Sequence, residues 1–346
     1  MNGATSPEAS GLAGLHPAYF SMAMATGIVS IASQLLGYRS IAVVLFALNV
    51  GVYVVLWALT IARLTRYRER FLADLCHHGR SVGFFTTVAA TCVLGTQFLI
   101  VGGMWGAAAA LWFLGIALWA LFTYTIFTVL TVKEVKPSLA DGMNGGWLVS
   151  VVASQSVAVL GAQLAAGFGE YEPQVLFFCL AMWLGGGMLY IWIISLIFYR
   201  YTFFTLSPAD LAPPYWVNMG AVAISALAGS LLIADAPRSV LLQSLAPFLR
   251  GLTLLFWATA TWWIPMLVIL GIWRHVYRRF PLRYDPLYWG AVFPLGMYTA
   301  SSFRLAQAID APYLFVIPKL FIVIAWAAWL LTAAGFVATR GFFARR

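Results

Sequence analysis

The chain has 346 residues, of which 62% are hydrophobic and only 9% are charged. Soluble domains contain about 45–50% apolar and about 25% charged residues, so this composition excludes an ordinary soluble globular protein. The formal net charge of +9 lies mostly in the connections between apolar segments, which argues against a nucleic-acid-binding surface and indicates a lipid bilayer as the partner.

Apolar segments of about 20 residues, the length that crosses the hydrocarbon core of a membrane, follow one another along the whole chain. Little sequence remains between them, so we predict one transmembrane domain at 17–338, a short segment at 1–16 before it and a basic tail at 339–346. The first sixteen residues contain no Lys or Arg and do not look like a cleavable signal peptide. The ten predicted segments are 17–36, 41–62, 82–102, 105–130, 145–168, 174–198, 215–234, 250–273, 288–308 and 313–337.

The basic residues are distributed unevenly between the connections. Fifteen of the twenty Lys and Arg residues fall on one side if the chain crosses the membrane ten times and both termini share that side. Basic loops stay in the cytoplasm, so the sequence predicts cytoplasmic termini in a bacterial-type plasma membrane. The fifteen lie in 63–80, 133–136, at Arg200, in 274–283 and in 340–346.

Two kinds of segment alternate along the chain. The odd-numbered segments are rich in small and hydroxyl residues, whereas the even-numbered ones contain twelve of the fifteen tryptophans. Bulky aromatic faces suit lipid, and small or hydroxyl residues suit close helix packing or a wet path. The pattern predicts an all-α fold of ten transmembrane helices, arranged as five hairpins around a central pore with quasi-five-fold symmetry, odd helices inside and even helices outside. A closely packed helical bundle without a pore is the alternative.

Each odd segment opens on an aromatic residue or pair. The residues four positions after the last of these aromatics are predicted to lie at one level along the central axis. One of these five residues is large and aromatic, so we predict that Phe293 is a gate that occludes the pore, as hydrophobic constrictions do in channels. Packing against lipid or neighbouring helices is the alternative for this side chain. The five positions are Met24, Ala89, Val151, Gly220 and Phe293.

We predict that hydroxyl, amide and helix-bending residues of the odd segments line the pore. No Asp or Glu lies well inside a segment, which argues against a cation path and against a relay of buried carboxylates. Arg304, Lys319 and Arg250 lie near the opposite end from the basic loops and predict an anion-attracting collar, with snorkelling to the interface as the alternative. The predicted lining and kink residues are Thr26, Gly27, Thr91, Ser154, Gln155, Gly220, Pro294, Gly296, Thr299 and Ser302.

Nothing in the sequence indicates an enzyme, a cofactor or a bound metal. The four histidines lie in connections, and Cys76, Cys92 and Cys179 are scattered without metal-ligand spacing. Phosphate-binding loops, zinc-protease motifs and nucleophile elbows are missing from the sequence. A membrane-embedded enzyme remains the alternative from a different functional class.

Two stretches resemble a known family of membrane proteins. Residues 17–28, PAYFSMAMATGI, resemble the first helix of the tellurite-resistance/dicarboxylate transporter family, and residues 288–296, YWGAVFPLG, resemble its ninth. That family includes bacterial tellurite-resistance proteins, yeast malate permeases and sulfite efflux pumps, and the slow anion channels of plant guard cells. The Pro-Leu-Gly after Phe293 is closest to the dicarboxylate and sulfite branch.

The resemblance implies a five-hairpin fold, a pore closed by the Phe that matches Phe293, and a homotrimer with one pore in each chain. It also implies transport of a small anionic substrate. We therefore expect C4-dicarboxylate transport or transport of a small oxyanion such as sulfite, through a Phe-gated pore and without a cofactor. A proton-coupled carrier of dicarboxylates is the alternative within transport.

Overall fold

The structure, a computed structural model, describes residues 11–339. The predicted segment 1–16 is therefore covered only from residue 11, and the basic residues of the predicted tail, Arg340, Arg345 and Arg346, lie outside the described residues. The prediction of an all-helical protein is confirmed within the described range. Its ten α-helices of fifteen residues or more are α1 (Ser21–Leu35), α2 (Arg39–Arg66), α3 (Phe85–Ile100), α4 (Trp105–Val132), α5 (Val149–Leu164), α6 (Glu172–Phe203), α7 (Val217–Asp235), α8 (Ala246–Ile272), α9 (Trp289–Ala308) and α10 (Val316–Ala338).

Each predicted apolar segment corresponds to one of these helices, but fewer stretches meet a strict criterion of length and hydropathy. Within residues 11–339, eight helical stretches are long and apolar enough to cross a membrane. The stretch Gly145–Phe203 contains both α5 and α6, and α9 is not among the eight. Polar residues near the end of α9, such as Ser302 and Arg304, lower its mean hydropathy. Ten crossings therefore stay a prediction.

Every odd helix is entered through a tight 3₁₀ turn. Proline opens three of these turns, because its fixed φ suits the first helical position and its missing N–H needs no partner there. His16, Asn144 and Asp285 cap three of the turns by accepting a backbone N–H from the residue two positions later. The turns are Pro17–Phe20, Ser81–Phe84, Gly145–Leu148, Pro213–Trp216 and Pro286–Tyr288.

The opposite ends of the odd helices lead into the even helices by short turns. Gly37, Gly103 and Gly169 adopt positive φ values of 87°, 67° and 58° in three of these turns, where a side chain would be strained. Asp310 adopts a φ of 54° in a fourth. The turns bring each odd helix back against the even helix that follows it, as in a hairpin.

Helix packing separates the two classes that the composition indicates. Each odd helix packs against its following even helix, and the odd helices also contact one another in the cycle α1–α3–α5–α7–α9–α1. In the stretch Pro17–Leu35 83% of the most apolar window is buried, against 28% in Arg39–Arg66. The odd helices are therefore the inner ones of this chain and the even helices carry most of its exposed apolar surface. Quasi-five-fold symmetry around a pore stays a prediction.

Candidate functional site

All five odd helices line a large cavity at the end of the molecule where these helices begin. The cavity has a volume of about 370 Å³ and is open to solvent. We call it the inner cavity. The first or second residue of each odd helix contributes to its wall, and these five residues are Ser21, Thr86, Val149, Val217 and Gly290.

A second cavity, the outer cavity, lies farther along the same five helices and has a volume of about 20 Å³, room for about one water molecule. Residues three, four or seven positions apart on each helix line it, which places them on one helical face. Its wall is mostly apolar, with Thr96, Ser156 and Gln163 as polar residues and Arg304 as a cationic one. The residues from α1 and α9 are Ile28, Ile31, Leu35, Met297, Ala300 and Arg304.

Phe293 lies between the two cavities on α9. Gly290 lines the inner cavity and Met297 lines the outer one, so the two cavities are seven residues apart, or about 10 Å along the helix. Phe293 is three residues from the first and four from the second, which places it on the same face. Its side chain is 1% exposed, so the space between the cavities is closed by packed side chains.

The matching residues on the other odd helices are smaller or more flexible. On each helix we take the residue three positions after the inner-cavity residue and four before the outer-cavity residue. On α1, α3 and α7 these are Met24, Ala89 and Gly220, as the sequence predicts. On α5 the count gives Val152, because Val149 and Ser156 mark the lining face, and Val151 is turned away from it. The residue of α5 at the level of Phe293 is therefore Val152 and not the predicted Val151.

The small and helix-bending residues predicted to line the pore bring the odd helices close to one another instead. A Cβ atom at Gly220 would lie 2.8 Å from Cγ of Pro294, and one at Gly296 would lie 2.9 Å from Cγ2 of Ile28. A Cβ atom at Gly27 would collide with Val93. These residues line neither cavity, and their lack of side-chain volume lets α7, α9, α1 and α3 pack closely.

The hydroxyl groups predicted to line the pore also face away from both cavities. Four of them hydrogen-bond to an aromatic side chain of an even helix, which needs a partner for its N–H or O–H when it is buried. They therefore tie the inner helices to the outer ones. The pairs are Trp329 Nε1 with Thr26 Oγ1 (3.0 Å), Tyr53 Oη with Thr91 Oγ1 (2.7 Å), Trp119 Nε1 with Ser154 Oγ (2.9 Å) and Trp257 Nε1 with Ser302 Oγ (2.9 Å).

The two remaining polar residues of the predicted lining, Gln155 and Thr299, hydrogen-bond to backbone carbonyl oxygens. The Nε2 group of Gln155 donates to the carbonyl oxygen of Trp183 at 3.0 Å, and Thr299 Oγ1 donates to the carbonyl oxygen of Leu295 at 2.9 Å. Neither side chain lines a cavity. The direction of a polar side chain on a helix that is buried on all sides depends on its partners, which the sequence pattern does not identify.

Of the three residues in the predicted collar, Arg304 reaches a cavity. It is half-buried in the wall of the outer cavity and its Nη1 group donates to Gln307 Oε1 at 3.1 Å. No carboxylate in the described part of the chain lies within salt-bridge distance of it. Lys319 and Arg250 are exposed on α10 and α8 and line neither cavity. The predicted collar is thus reduced to one guanidinium group.

Sequence reasoning did not identify Arg200 as a site residue, although it lines the inner cavity and is only 6% exposed. Its guanidinium group donates to the Ala140 carbonyl oxygen at 2.9 Å and to the Tyr215 hydroxyl at 2.6 Å, and it lies 3.6 Å from Asp210. In the sequence Arg200 is one of many basic residues between two apolar segments. Its burial depends on the connection at 204–212 folding over it.

Asp210 is the loop carboxylate that pairs with this arginine. Partial burial acts to raise the pKa of Asp210, but hydrogen bonds from Ser207 and the positive charge of Arg200 outweigh it and leave the pKa below its usual value. The carboxylate is therefore ionised at neutral pH and balances part of the charge of Arg200.

Known sequences that match the chain show what it is similar to. The sequence profile of the voltage-dependent anion channel family matches residues 14–337. An uncharacterized membrane protein of Mycobacterium tuberculosis is 43% identical over 146 residues, which cover 42% of this chain and 73% of that protein. An uncharacterized transporter of Methanocaldococcus jannaschii is 26% identical over 83% of this chain and 82% of its own length. A sulfite efflux pump of Trichophyton rubrum is 26% identical over 93% and 90% of the two chains.

Proposed function

Because the chain belongs to the voltage-dependent anion channel family, a family of multi-pass membrane proteins, we propose that it carries small oxyanions such as sulfite across the membrane. The resemblance of its two motifs to the tellurite-resistance/dicarboxylate transporter family is confirmed by that membership. The family and the relatives with a named function are channels and transporters rather than enzymes. Sulfite is favoured because three relatives that align over most of the chain are sulfite efflux pumps.

The path of the anion runs between the five odd helices in this proposal. Its main support is the pair of cavities, each lined by all five of these helices, with about two helical turns of packed residues between them. A closed level that short can open by the movement of a few side chains. The contact cycle of the odd helices and their following even helices support five hairpins with quasi-five-fold symmetry.

Phe293 is the gate of this path in our proposal. It is the aromatic residue of the closed level, where the other four helices contribute Met24, Ala89, Val152 and Gly220. Rotation of one ring would join the cavities, whereas the neighbouring contact between Pro294 and Gly220 holds the backbone of α9 in place. A hydrophobic side chain closes such a path by excluding water from it.

Charge supports an anion as the substrate. Arg304 lines the outer cavity, and no Asp or Glu is among the residues that line it. A guanidinium group without a carboxylate partner at the edge of a low-dielectric region attracts anions and repels cations. Lys319 and Arg250 are exposed at the same end of the molecule and contribute at most a diffuse, salt-screened attraction.

A C4-dicarboxylate such as malate is the second candidate substrate. The inner cavity, at about 370 Å³, has room for a four-carbon diacid. The narrower outer cavity, with a single cationic residue in its wall, suits a smaller anion better. Sulfite therefore remains the first choice.

The proposal places both termini in the cytoplasm of a bacterial-type cell and the inner cavity on the cytoplasmic side of the plasma membrane. Support comes from the basic connections at 63–80, 133–136 and 274–283, which lie at the end of the molecule where the odd helices begin. A homotrimer with one path in each chain would cover part of the exposed apolar surface of the even helices. Cysteine labelling of intact cells at positions 70 and 104 distinguishes this topology from its inverse.

Reconstitution tests the function itself. We expect liposomes that contain the purified protein to take up radiolabelled sulfite faster than protein-free liposomes, and to exclude sodium ions. Malate and chloride, supplied in turn at equal ionic strength, rank the substrates. Uptake of no anion above the protein-free control, or uptake of sodium, would contradict the proposal. Uptake of malate alone, driven by a pH gradient, would establish the proton-coupled carrier instead.

A further inference from the structure

Ser21 is a buried hydroxyl that lacks a partner and lines the inner cavity. It is the first residue of α1, it is 5% exposed, and its Oγ atom makes no hydrogen bond. Other buried serines of the odd helices donate to backbone carbonyl oxygens; Ser30 and Ser225, for example, do so at 2.7 Å. Because buried polar groups are normally satisfied, a free hydroxyl in a cavity wall points to a ligand that the cavity can hold.

A buried positive charge lies in the wall of the same cavity. The guanidinium group of Arg200 is held by Ala140 and Tyr215, and its contact with Asp210, at 3.6 Å, is the longest of the three. An incoming anion can therefore engage this group without disturbing the two shorter contacts. Burial strengthens such an interaction, because little water remains to screen it.

The backbone adds further positive potential at the same place. The five odd helices all begin at the inner cavity, so the positive ends of their dipoles point toward it. Two carboxylates also line this cavity, but both lie in connections. Asp141 is exposed and accepts a hydrogen bond from Ser138 at 2.6 Å, and Asp210 accepts two from Ser207. Ser81, at the start of another turn, also has a hydroxyl without a partner, but it does not line the inner cavity, whereas Ser21 does.

We propose that the inner cavity holds one small oxyanion at the Ser21 hydroxyl, attracted by the Arg200 guanidinium group in the wall of the same cavity, before the closed level at Phe293. The hydroxyl donates to one oxygen of the anion, and the guanidinium group supplies the charge. This site rests on the proposed transport of anions and adds to it a loading site on the cytoplasmic side. It also gives the inner cavity a role distinct from that of Arg304 in the outer cavity.

Thermal unfolding of the purified full-length protein tests the site without measuring transport. Sodium sulfite is titrated against sodium chloride of equal ionic strength, because a ligand that binds the folded state raises Tm with its concentration. We expect sulfite to raise the Tm of the wild type and of Ser225→Ala, whose lost hydroxyl lines neither cavity. In Ser21→Ala the sulfite concentration needed for the same shift should rise about tenfold, the loss of one hydrogen bond to a charged group.

Three further results decide the inference. Without sulfite, Ser21→Ala should unfold at the same or a higher temperature than the wild type, because no hydrogen bond is lost. Ser21→Thr, which keeps the hydroxyl, should retain the response to sulfite. Arg304→Gln should retain the part of the shift that depends on Ser21, since it changes the other cavity.

Equal sulfite responses in Ser21→Ala and Ser225→Ala would overturn the site, and so would a wild type whose Tm does not respond to sulfite. A Ser21-dependent response in a protein that moves no anion into liposomes would support the site and sink the proposed function. Sulfite uptake with the same half-saturating concentration in Ser21→Ala and the wild type would support the proposed function and overturn the site.

Discussion

The inner and outer cavities are lined by the same five helices, yet they differ in almost every property that matters to an ion. The inner cavity is wide, begins where the helices begin, and contains a buried arginine whose charge is shared with a loop carboxylate. The outer cavity is narrow and apolar, and Arg304 lies in its wall without a carboxylate. In the proposed path, the inner cavity would therefore collect anions and the outer cavity would select among them.

Removal of the Arg304 charge from the outer cavity should have the largest effect on the difference between the two cavities. We expect Arg304→Gln to lower the apparent affinity for sulfite supplied to the outer side by about tenfold. This is about 1.4 kcal/mol, which lies between the values of one charge interaction at 4 Å in bulk water (about 1 kcal/mol) and near a protein surface (about 4 kcal/mol). The same substitution should leave the affinity from the inner side nearly unchanged. Flux measured from each side of oriented proteoliposomes checks this difference.

Lys319→Gln is the matched control for Arg304, because it removes an exposed positive charge from the same end of the molecule. It should change the outer-side affinity by less than about twofold at physiological salt. Equal losses in the two variants would mean that the collar acts through diffuse charge and that the two cavities do not differ as described.

A smaller effect concerns the hydroxyl groups of α9. They hydrogen-bond to backbone carbonyl oxygens or to side chains of an even helix instead of lining the outer cavity, which leaves the wall of that cavity mostly apolar. Trp257→Phe removes the N–H that donates to Ser302 Oγ at 2.9 Å and should lower the free energy of unfolding by about 1 kcal/mol. Trp192→Phe is the control, because Trp192 lies on α6 and is 60% exposed. It should leave the stability unchanged, as measured by thermal unfolding of the two variants.

The sequence pattern predicts the fold class and the burial of the odd helices because small residues cannot shield a helix from lipid, whereas tryptophans can. It does not predict where the hydroxyls of Thr26 or Ser302 point, since a helix buried on all sides offers them several partners. It also misses Arg200, which is buried because the connections that contain Ala140 and Asp210 contact its guanidinium group. Arg304 is identified because a charge inside an apolar segment stands out against its neighbours.

The smallest effect concerns the rim of the inner cavity. The lowered pKa of Asp210 means that its interactions with Ser207 and Arg200 stabilise the fold above the unfolded pKa of about 3.9, and that this stabilisation is lost as the pH falls through the folded value. Asp210→Asn should therefore lower the Tm at pH 7 and have a smaller effect at pH 3. A Tm difference that is the same at both pH values would exclude this contribution.

The central claim is that Phe293 closes a path between the two cavities, and current across a planar bilayer tests it most directly. Phe293→Ala is compared with the wild type and with Phe256→Ala, which removes an equally buried ring from the outer helix α8. We predict an anion current, carried by sulfite and chloride, that is at least about tenfold larger in Phe293→Ala than in the other two proteins. Equal currents in Phe293→Ala and Phe256→Ala would contradict the account, because the ring would then be packing rather than a gate.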